Sequence, residues 1–269
     1  MKIGILREEK FPPDKRVVFT PSQCKWIIEN TTIDLFVQSS NIRCFSDELY
    51  KKEGVKMVED LSECDVLLGV KEVPNSLLIS SKIYFFFSHT IKKQPYNRKL
   101  LQKMVNLNIQ MVDYELLKDT NNKRLLGFGR YAGIVGAYNG LLTYGLKSGK
   151  YNLKPAKLCD GREEVESELL KLKLTKEKIL ITGNGRVANG VLEILNFSKI
   201  KQVSKYDFLN REFDEAVFCR IDTMDYNERI DGGNSEKYDF YANPEKYKST
   251  FMKYARVTDL FISGHFYST

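Results

Sequence analysis

Histidine, tryptophan and proline are scarce in this chain: 2 His, 1 Trp and 7 Pro among 269 residues. Its five cysteines (Cys24, Cys44, Cys64, Cys159, Cys219) lie far apart and form no CxxC pair. With so few spaced ligands a zinc centre is not expected, and no metal-binding residue is assigned. Scattered thiols in odd number build no disulfide framework and suit a reducing, cytoplasmic setting. A membrane-spanning run is also missing. The longest uncharged stretch, residues 131–146, carries four glycines and an asparagine and falls short of the roughly 20 apolar residues a span requires. The opening MKIGILREEK acquires acids at once, unlike a secretory signal. Nor is there a dense basic block: the net charge of +7 is spread over 42 basic and 35 acidic residues. That argues against nucleic acid as a partner and suits small anionic ligands.

What is present begins with two nearly continuous apolar runs, residues 66–70 (VLLGV) and 83–87 (IYFFF). Runs of this length and composition mark strands buried on both faces, as in a parallel sheet. Each ends in groups able to move protons. Lys71 and Glu72 follow the first; His89 follows the second, with Lys92 three residues on. Ligands gather at the carboxyl ends of strands in open parallel sheets, so Lys71 and His89 are candidates for one site. Taken singly, each also reads as a solvated loop lysine or a structural histidine.

Around these runs, strand signals at 2–6, 32–37, 55–58 and 109–112 alternate with helical stretches starting at Pro21 and covering 46–54 and 95–105. Thr20-Pro21 supplies a cap and a first-turn proline. Trp26, Ile27 and Ile28 give that helix its apolar content, and Gly54 ends the next. Such alternation predicts an α/β domain with a parallel sheet covered on both faces, ending near Gly127.

A long helix is expected over 130–147. Gly133, Gly136 and Gly140 share one of its faces, which suits close approach of another backbone. Residues 160–172 read as a charged amphipathic helix. The strand 178–182 then runs into Gly183-Asn184-Gly185-Arg186-Val187-Ala188, the strand–GxGxxA–helix context of a dinucleotide fingerprint. Gly183 makes the tight turn, Gly185 admits a pyrophosphate to backbone N–H groups, and Ala188 permits close helix packing. Val187, Val191, Ile194 and Leu195 form the apolar stripe of the helix that follows. A second strand over 201–206 ends at Asp207, where an acid would accept the adenosine ribose hydroxyls. Beyond Asp214 the pattern loosens. A flexible turn is expected at Asp231-Gly232-Gly233-Asn234, a helix from Asn243-Pro244 with Tyr247, Phe251 and Tyr254 on one side, and a strand over 259–263. That makes three strands in the second half, against about six in a complete dinucleotide domain.

Several stretches together resemble one family: KIGILREEKFPPDKRVVFTP, VKEVP, FFFSHTIK, VDYELL, GFGRYAGIVGA, ITGNGRVANG, SKYD and TDLFISGHFYS. They are similar to the alanine dehydrogenase/pyridine nucleotide transhydrogenase superfamily, in its saccharopine dehydrogenase (lysine-forming) and lysine-ketoglutarate reductase branch. The resemblance covers most of the chain and is weakest over 221–250. It implies two Rossmann-like parallel-sheet domains separated by a cleft. Residues 1–127 would be the N-terminal substrate/catalytic domain; 128–269 would hold a linking helix and an NAD(P)-binding domain. Family members continue further, so the second domain is expected to be incomplete at its C-terminus.

The resemblance also implies roles. Lys71 and His89 become the acid–base pair; Arg16, Lys92, Glu115 and Arg130 bind substrate. Gly183, Gly185, Arg186, Ala188 and Asp207 bind the cofactor, NAD by the charge of Asp207, with NADP left open by Lys205 nearby. The implied reaction converts saccharopine, NAD and water to lysine, 2-oxoglutarate and NADH, or the reverse. An alanine dehydrogenase-like activity and a catalytically incomplete nucleotide-binding module are the alternatives. The residue types suit amine oxidation in their own right. Hydride loss from a secondary amine leaves an imine, water adds and the amine departs, each step moving a proton. Lys71 beside the cations Arg16 and Lys92 is expected to shed its proton more readily, and those cations would pair substrate carboxylates. The expected partner is a small amino-acid or keto-acid substrate, with no membrane or nucleic acid.

Overall fold

In the computed structural model, which describes residues 1–265, the chain divides into two compact units, Met1–Gly127 and one from Phe128 onward. The first contains β1 (Lys2–Ile5), α1 (Pro21–Asn30), β2 (Asp34–Gln38), α2 (Asp47–Lys52), β3 (Lys56–Val58), β4 (Val66–Leu68), β5 (Ile83–Phe86), α3 (Arg98–Asn106) and β6 (Gln110–Asp113). Its six strands pair in parallel in the order β3-β2-β1-β4-β5-β6. Strand order reverses between β1 and β4, which opens a crevice at their carboxyl ends.

Local chemistry explains the elements. Thr20 accepts from the Gln23 N–H while the Gln23 side chain accepts from the Thr20 N–H, with Pro21 in the first turn. This reciprocal cap satisfies two donors that a helix start otherwise leaves open. The apolar content of α1 is placed differently from expectation. Cys24 and Ile27 pack inward, whereas Trp26 is 61% exposed, because a residue two positions from Cys24 falls on another face of the helix. In β4 all three residues are buried, and in β5 Tyr84 and Phe86 are fully so. Pairing extends past both strands: the Gly69 N–H donates to the Phe85 carbonyl and the Phe87 N–H to that of Val70.

The second unit contains α4 (Gly129–Ser148), α5 (Arg162–Leu169), β7 (Lys178–Thr182), α6 (Arg186–Phe197), β8 (Lys201–Gln202), α7 (Lys205–Asn210), β9 (Val217–Ile221), β10 (Asn227–Arg229), α8 (Lys237–Ala242), β11 (Tyr247–Ser249), α9 (Met252–Ala255) and β12 (Leu260–Ser263). Four of the strands form a parallel sheet in the order β12-β7-β9-β8. On one face Ile179, Ile181 and Phe218 pack with Tyr138 and Leu141 of α4 and Val191 and Ile194 of α6. On the other, Leu180, Cys219 and Ile221 meet Phe208 and Tyr254.

Three expectations for this half are corrected. The stretch beyond Asp214 contains β9, whose Val217, Phe218, Cys219 and Ile221 are buried; apolar contacts on both faces hold it in the sheet interior. The strand expected over 201–206 is only Lys201–Gln202, both exposed, and lies at the edge, where charged side chains are tolerated. The helix expected from Asn243 is broken: Tyr247–Ser249 pairs antiparallel with Asn227–Arg229 instead. Of Gly133, Gly136 and Gly140, one makes a close approach to another helix. A Cβ on Gly133 would stand 1.9 Å from the Val187 carbonyl oxygen, and one on Gly190 2.0 Å from that of Arg130. Nothing lies within 4 Å of such an atom on Gly136, and Gly140 makes ordinary contact with Ile262. No helix among the described residues is long and apolar enough to cross a membrane.

Candidate active site and nucleotide turn

In the first unit the crevice at the switch point is charged. The turn after β1 reads Leu6-Arg7-Glu8-Glu9, with no glycine and with two carboxylates where a dinucleotide turn would receive phosphate. A cavity of about 230 Å³ sits there, lined by Leu6, Glu8, Gly69, Lys71, Glu72 and Val73 among others. Glu8 spans the crevice: one carboxylate oxygen accepts the Val70 N–H at 2.7 Å and the other the Lys71 N–H at 2.9 Å. Burial pushes the Glu8 carboxyl up, partly offset by these two bonds. The loop that carries Lys71 is thereby tied to β1.

Arg16 is held by Asp14, Nε to Oδ1 at 2.9 Å and Nη2 to Oδ2 at 2.5 Å. Hydrogen bonding to Arg16 first, and the charges of Arg16 and Lys71 after it, set the Asp14 carboxyl below its ordinary range. Lys71 is therefore in electrostatic reach of Asp14. Carboxylates thus join Arg16 in the neighbourhood of Lys71, because Glu8 and Asp14 come from the β1–α1 loop that folds over the same strand ends.

The second cluster forms at the ends of β5 and β6. His89 has left-handed backbone, φ 56°, uncommon for a residue with a Cβ. Asp113, buried at the end of β6, accepts the His89 N–H at 3.1 Å, the Ser88 hydroxyl at 2.6 Å and the Glu115 N–H at 2.8 Å. One carboxylate thus fixes both the histidine loop and the acid that faces it. Glu115 Oε2 lies 3.0 Å from His89 Nδ1, while its Oε1 lies 3.3 Å from Lys92 Nζ and 3.2 Å from Arg124 Nη2. Burial raises the Glu115 carboxyl, but hydrogen bonds from His89 and Lys92, with their charges, outweigh it and leave the group below its ordinary value. As a carboxylate it only accepts, whereas Lys92 Nζ, 3.3 Å from the same His89 Nδ1, only donates; the nearer carboxylate favours the proton on Nδ1 and Nε2 as the acceptor. Phe87 stacks near the ring, centroids 6.4 Å apart. His89, Lys92 and Glu115 are thus brought together; Glu8, Asp14 and Asp113 were not among the sequence candidates. Asp113 had a signal, since it directly precedes the Tyr114-Glu115 pair singled out as VDYE.

In the second unit Gly183 has φ +101°, and a Cβ there would stand 2.6 Å from the Gly264 carbonyl oxygen. Only glycine fits such a turn. Gly185, the cap of the 12-residue α6, has nothing within 4 Å of the Cβ position and no side-chain cap bond. The open backbone at this helix start fits a pyrophosphate. Arg186 opens α6 and Ala188 is fully buried. Arg130 is engaged by Glu193 through Nε at 2.6 Å and Nη2 at 2.8 Å. Asp207 does not end a strand. It lies in the first turn of α7, its N–H donating to the capping Ser204 hydroxyl at 3.0 Å and its carboxylate pairing Arg211 at 2.9 Å. The local Ser-x-x-Asp pattern starts a helix there, and the strand-end argument for this acid lapses. The Phe266-Tyr267-Ser268 part of the last resembling stretch lies outside the described residues.

Residues 4–135 match the family model of the alanine dehydrogenase/PNT N-terminal domain. An alpha-aminoadipic semialdehyde synthase of Arabidopsis thaliana is 31% identical over 93% of this chain and 27% of its own length. A saccharopine dehydrogenase [NAD(+), L-lysine-forming] of Yarrowia lipolytica is 30% identical over 52% of this chain and 39% of its own. The chain thus spans well under half of either relative. Among solved structures, the fold is shared with an L-alanine dehydrogenase (TM-score 0.55, 16% identity, 84% of this chain and 62% of that one). It is shared also with a transhydrogenase from Sinorhizobium meliloti (TM-score 0.56, 14% identity, 97% of this chain and 64% of that one). The charged, histidine-bearing parallel sheet of the first unit, matched across 4–135 by the family model, is an alanine dehydrogenase/PNT N-terminal domain.

Proposed function

We propose that this chain carries the acid–base and nucleotide-binding parts of an NAD(P)-dependent oxidoreductase that interconverts saccharopine with lysine and 2-oxoglutarate. The observation that carries the reading is the His89–Glu115–Lys92 cluster, in which a carboxylate at Nδ1 favours the tautomer whose second nitrogen can accept a proton. A pyridine nucleotide, when bound at Gly183, Gly185, Arg186 and Ala188, supplies the hydride acceptor or donor. The chain's own residues move protons and place charge. In the oxidative direction His89 Nε2 or Lys71 takes the proton from the amine nitrogen as the carbon–hydrogen bond breaks. The same groups take a proton from the water that adds to the imine and return one to the departing lysine nitrogen. Arg16, aligned by Asp14, and Lys92, aligned by Glu115, face the substrate's carboxylates.

The test adds NADH, lysine and 2-oxoglutarate and follows the nicotinamide absorbance. Loss of absorbance is expected with the unaltered chain. His89→Ala should lower turnover by about 10²–10⁴-fold while NADH affinity, read by fluorescence titration, stays unchanged. NADH bound without turnover would reduce the reading to a nucleotide-binding module; turnover of L-alanine with NAD instead would move it to the alanine dehydrogenase side.

A further inference from the structure

The second sheet departs from the usual dinucleotide order. In the common arrangement the glycine-turn strand neighbours the strand that follows it in sequence, and the acid that reads the adenosine ribose ends that neighbour. Here the neighbour of β7 is β9, and β8 is displaced to the edge. Pairing of β7 with β9 runs from Lys178↔Val217 to Thr182↔Ile221 and continues into the turn, where the Gly183 N–H donates to the Ile221 carbonyl at 2.9 Å. The next residue, Asp222, therefore stands level with the glycine turn. It is a carboxylate at the carboxyl end of the strand beside the fingerprint.

Its surroundings keep it charged and in place. Asp222 Oδ1 accepts the Thr223 N–H at 2.8 Å, and Lys237 Nζ approaches Oδ2 at 3.0 Å. The Asp222 N–H in turn donates to Asp225 at 2.7 Å, and Asp225 is itself paired with Lys205. The side chain is 37% exposed; the Thr223 hydroxyl at 3.4 Å, Lys237 at 3.2 Å and the Asp225 N–H also bond the carboxylate, so a ribose hydroxyl would replace the long Thr223 hydroxyl contact or take the place of Lys237.

We propose that Asp222, not Asp207, reads the adenosine ribose of the bound nucleotide, accepting its hydroxyls and setting the preference for NAD(H) over NADP(H). A 2′-phosphate would meet the Asp222 charge; Lys237 is the cation at hand once that charge is removed. The inference rests on the reading of the glycine turn as a pyridine-nucleotide site.

NADH and NADPH affinities of the 269-residue chain, by fluorescence titration, test it. NADH should bind more tightly. Asp222→Asn, which keeps an acceptor for the Thr223 N–H, should shift the NADH/NADPH ratio toward NADPH by about tenfold to a hundredfold. Asp207→Asn should leave the ratio within about twofold, since its carboxylate makes no ribose bond to lose. Hydrogen exchange on the unaltered chain gives a readout that needs no variant: NADH should slow the amides of 222–225 together with those of 185–187, and leave 205–208 unchanged. Protection at 185–187 without 222–225, or a ratio that follows Asp207, overturns this assignment and leaves the nucleotide site standing. Binding of neither nucleotide overturns both.

Discussion

Asp113 shows how much a single buried carboxylate arranges. It takes one bond from each of Ser88, His89 and Glu115, so the histidine's left-handed backbone and the opposing acid are set by the same group. The conformational cost of φ > 0 at a residue with a Cβ is on the order of 1 kcal/mol, less than three bonds to a charged acceptor offset. Glu115 then favours the proton on His89 Nδ1, against the Lys92 ammonium at the same nitrogen. Glu115→Gln removes the charge and allows either tautomer, so turnover should fall about tenfold to a hundredfold with NADH affinity unchanged. Steady-state kinetics beside a binding titration check this. An equal loss in both would mean that Glu115 serves packing rather than proton transfer.

Among the elements, the crossing of α4 and α6 is the most constrained. Gly133 and Gly190 each lie where a Cβ would overlap the other helix's backbone carbonyl, at 1.9 and 2.0 Å. Backbone cannot yield as a flexible side chain can, so Gly133→Ala should cost about 3 kcal/mol or more. Gly136→Ala, one turn further on with open space, should instead stabilise by about 0.5–1 kcal/mol through helix propensity and reduced freedom of the unfolded chain. Urea denaturation of the two variants reads the opposite signs. The glycine spacing in the sequence announced a close approach but not which glycine makes it, since that depends on where another helix crosses. β8 and β9 teach the same lesson. The run AVFCRI lies where the sequence pattern loosens, yet burial on both faces puts it inside the sheet. After Lys201 and Gln202 the exposed edge supports no longer strand, because Ser204 caps a helix from Lys205.

At the scale of the whole molecule, the balance of ionised carboxylates governs the response to acid. Hydrogen bonding to Arg16 lowers Asp14. Burial raises Glu115 and Glu177, but their hydrogen-bonded partners outweigh it, and all three titrate below ordinary values of 3.8 and 4.5. A depressed folded value contributes stability that is complete above the unfolded value and is lost as pH falls through the folded one. Glu8, raised by burial, has the opposite sign: its contribution is complete below its ordinary value and is lost as pH rises through the folded one. Three groups outweigh one, so the urea midpoint should be level near neutrality and fall steadily below about pH 4. A midpoint that rose on acidification would show that the burial of Glu8 dominates instead.

What the amino-acid order determined by itself was local: the Thr20-Pro21 helix start, the glycine turn before α6 with its apolar stripe, and the apolar runs that deliver Lys71 and His89 to strand ends. These follow from backbone geometry and periodicity within a few residues. Tertiary structure alone decided the rest. Neighbours in a parallel sheet come from distant stretches and are selected by burial on both faces, so only the folded sheet could put β9 beside β7 and Asp222 beside the glycine turn. Likewise Asp14 meeting Arg16 and Lys71, and Asp113 holding Ser88 and His89, depend on loops from separate strands converging at one end of the sheet. Charge pairing there is settled by distance in space, which spacing along the chain does not encode.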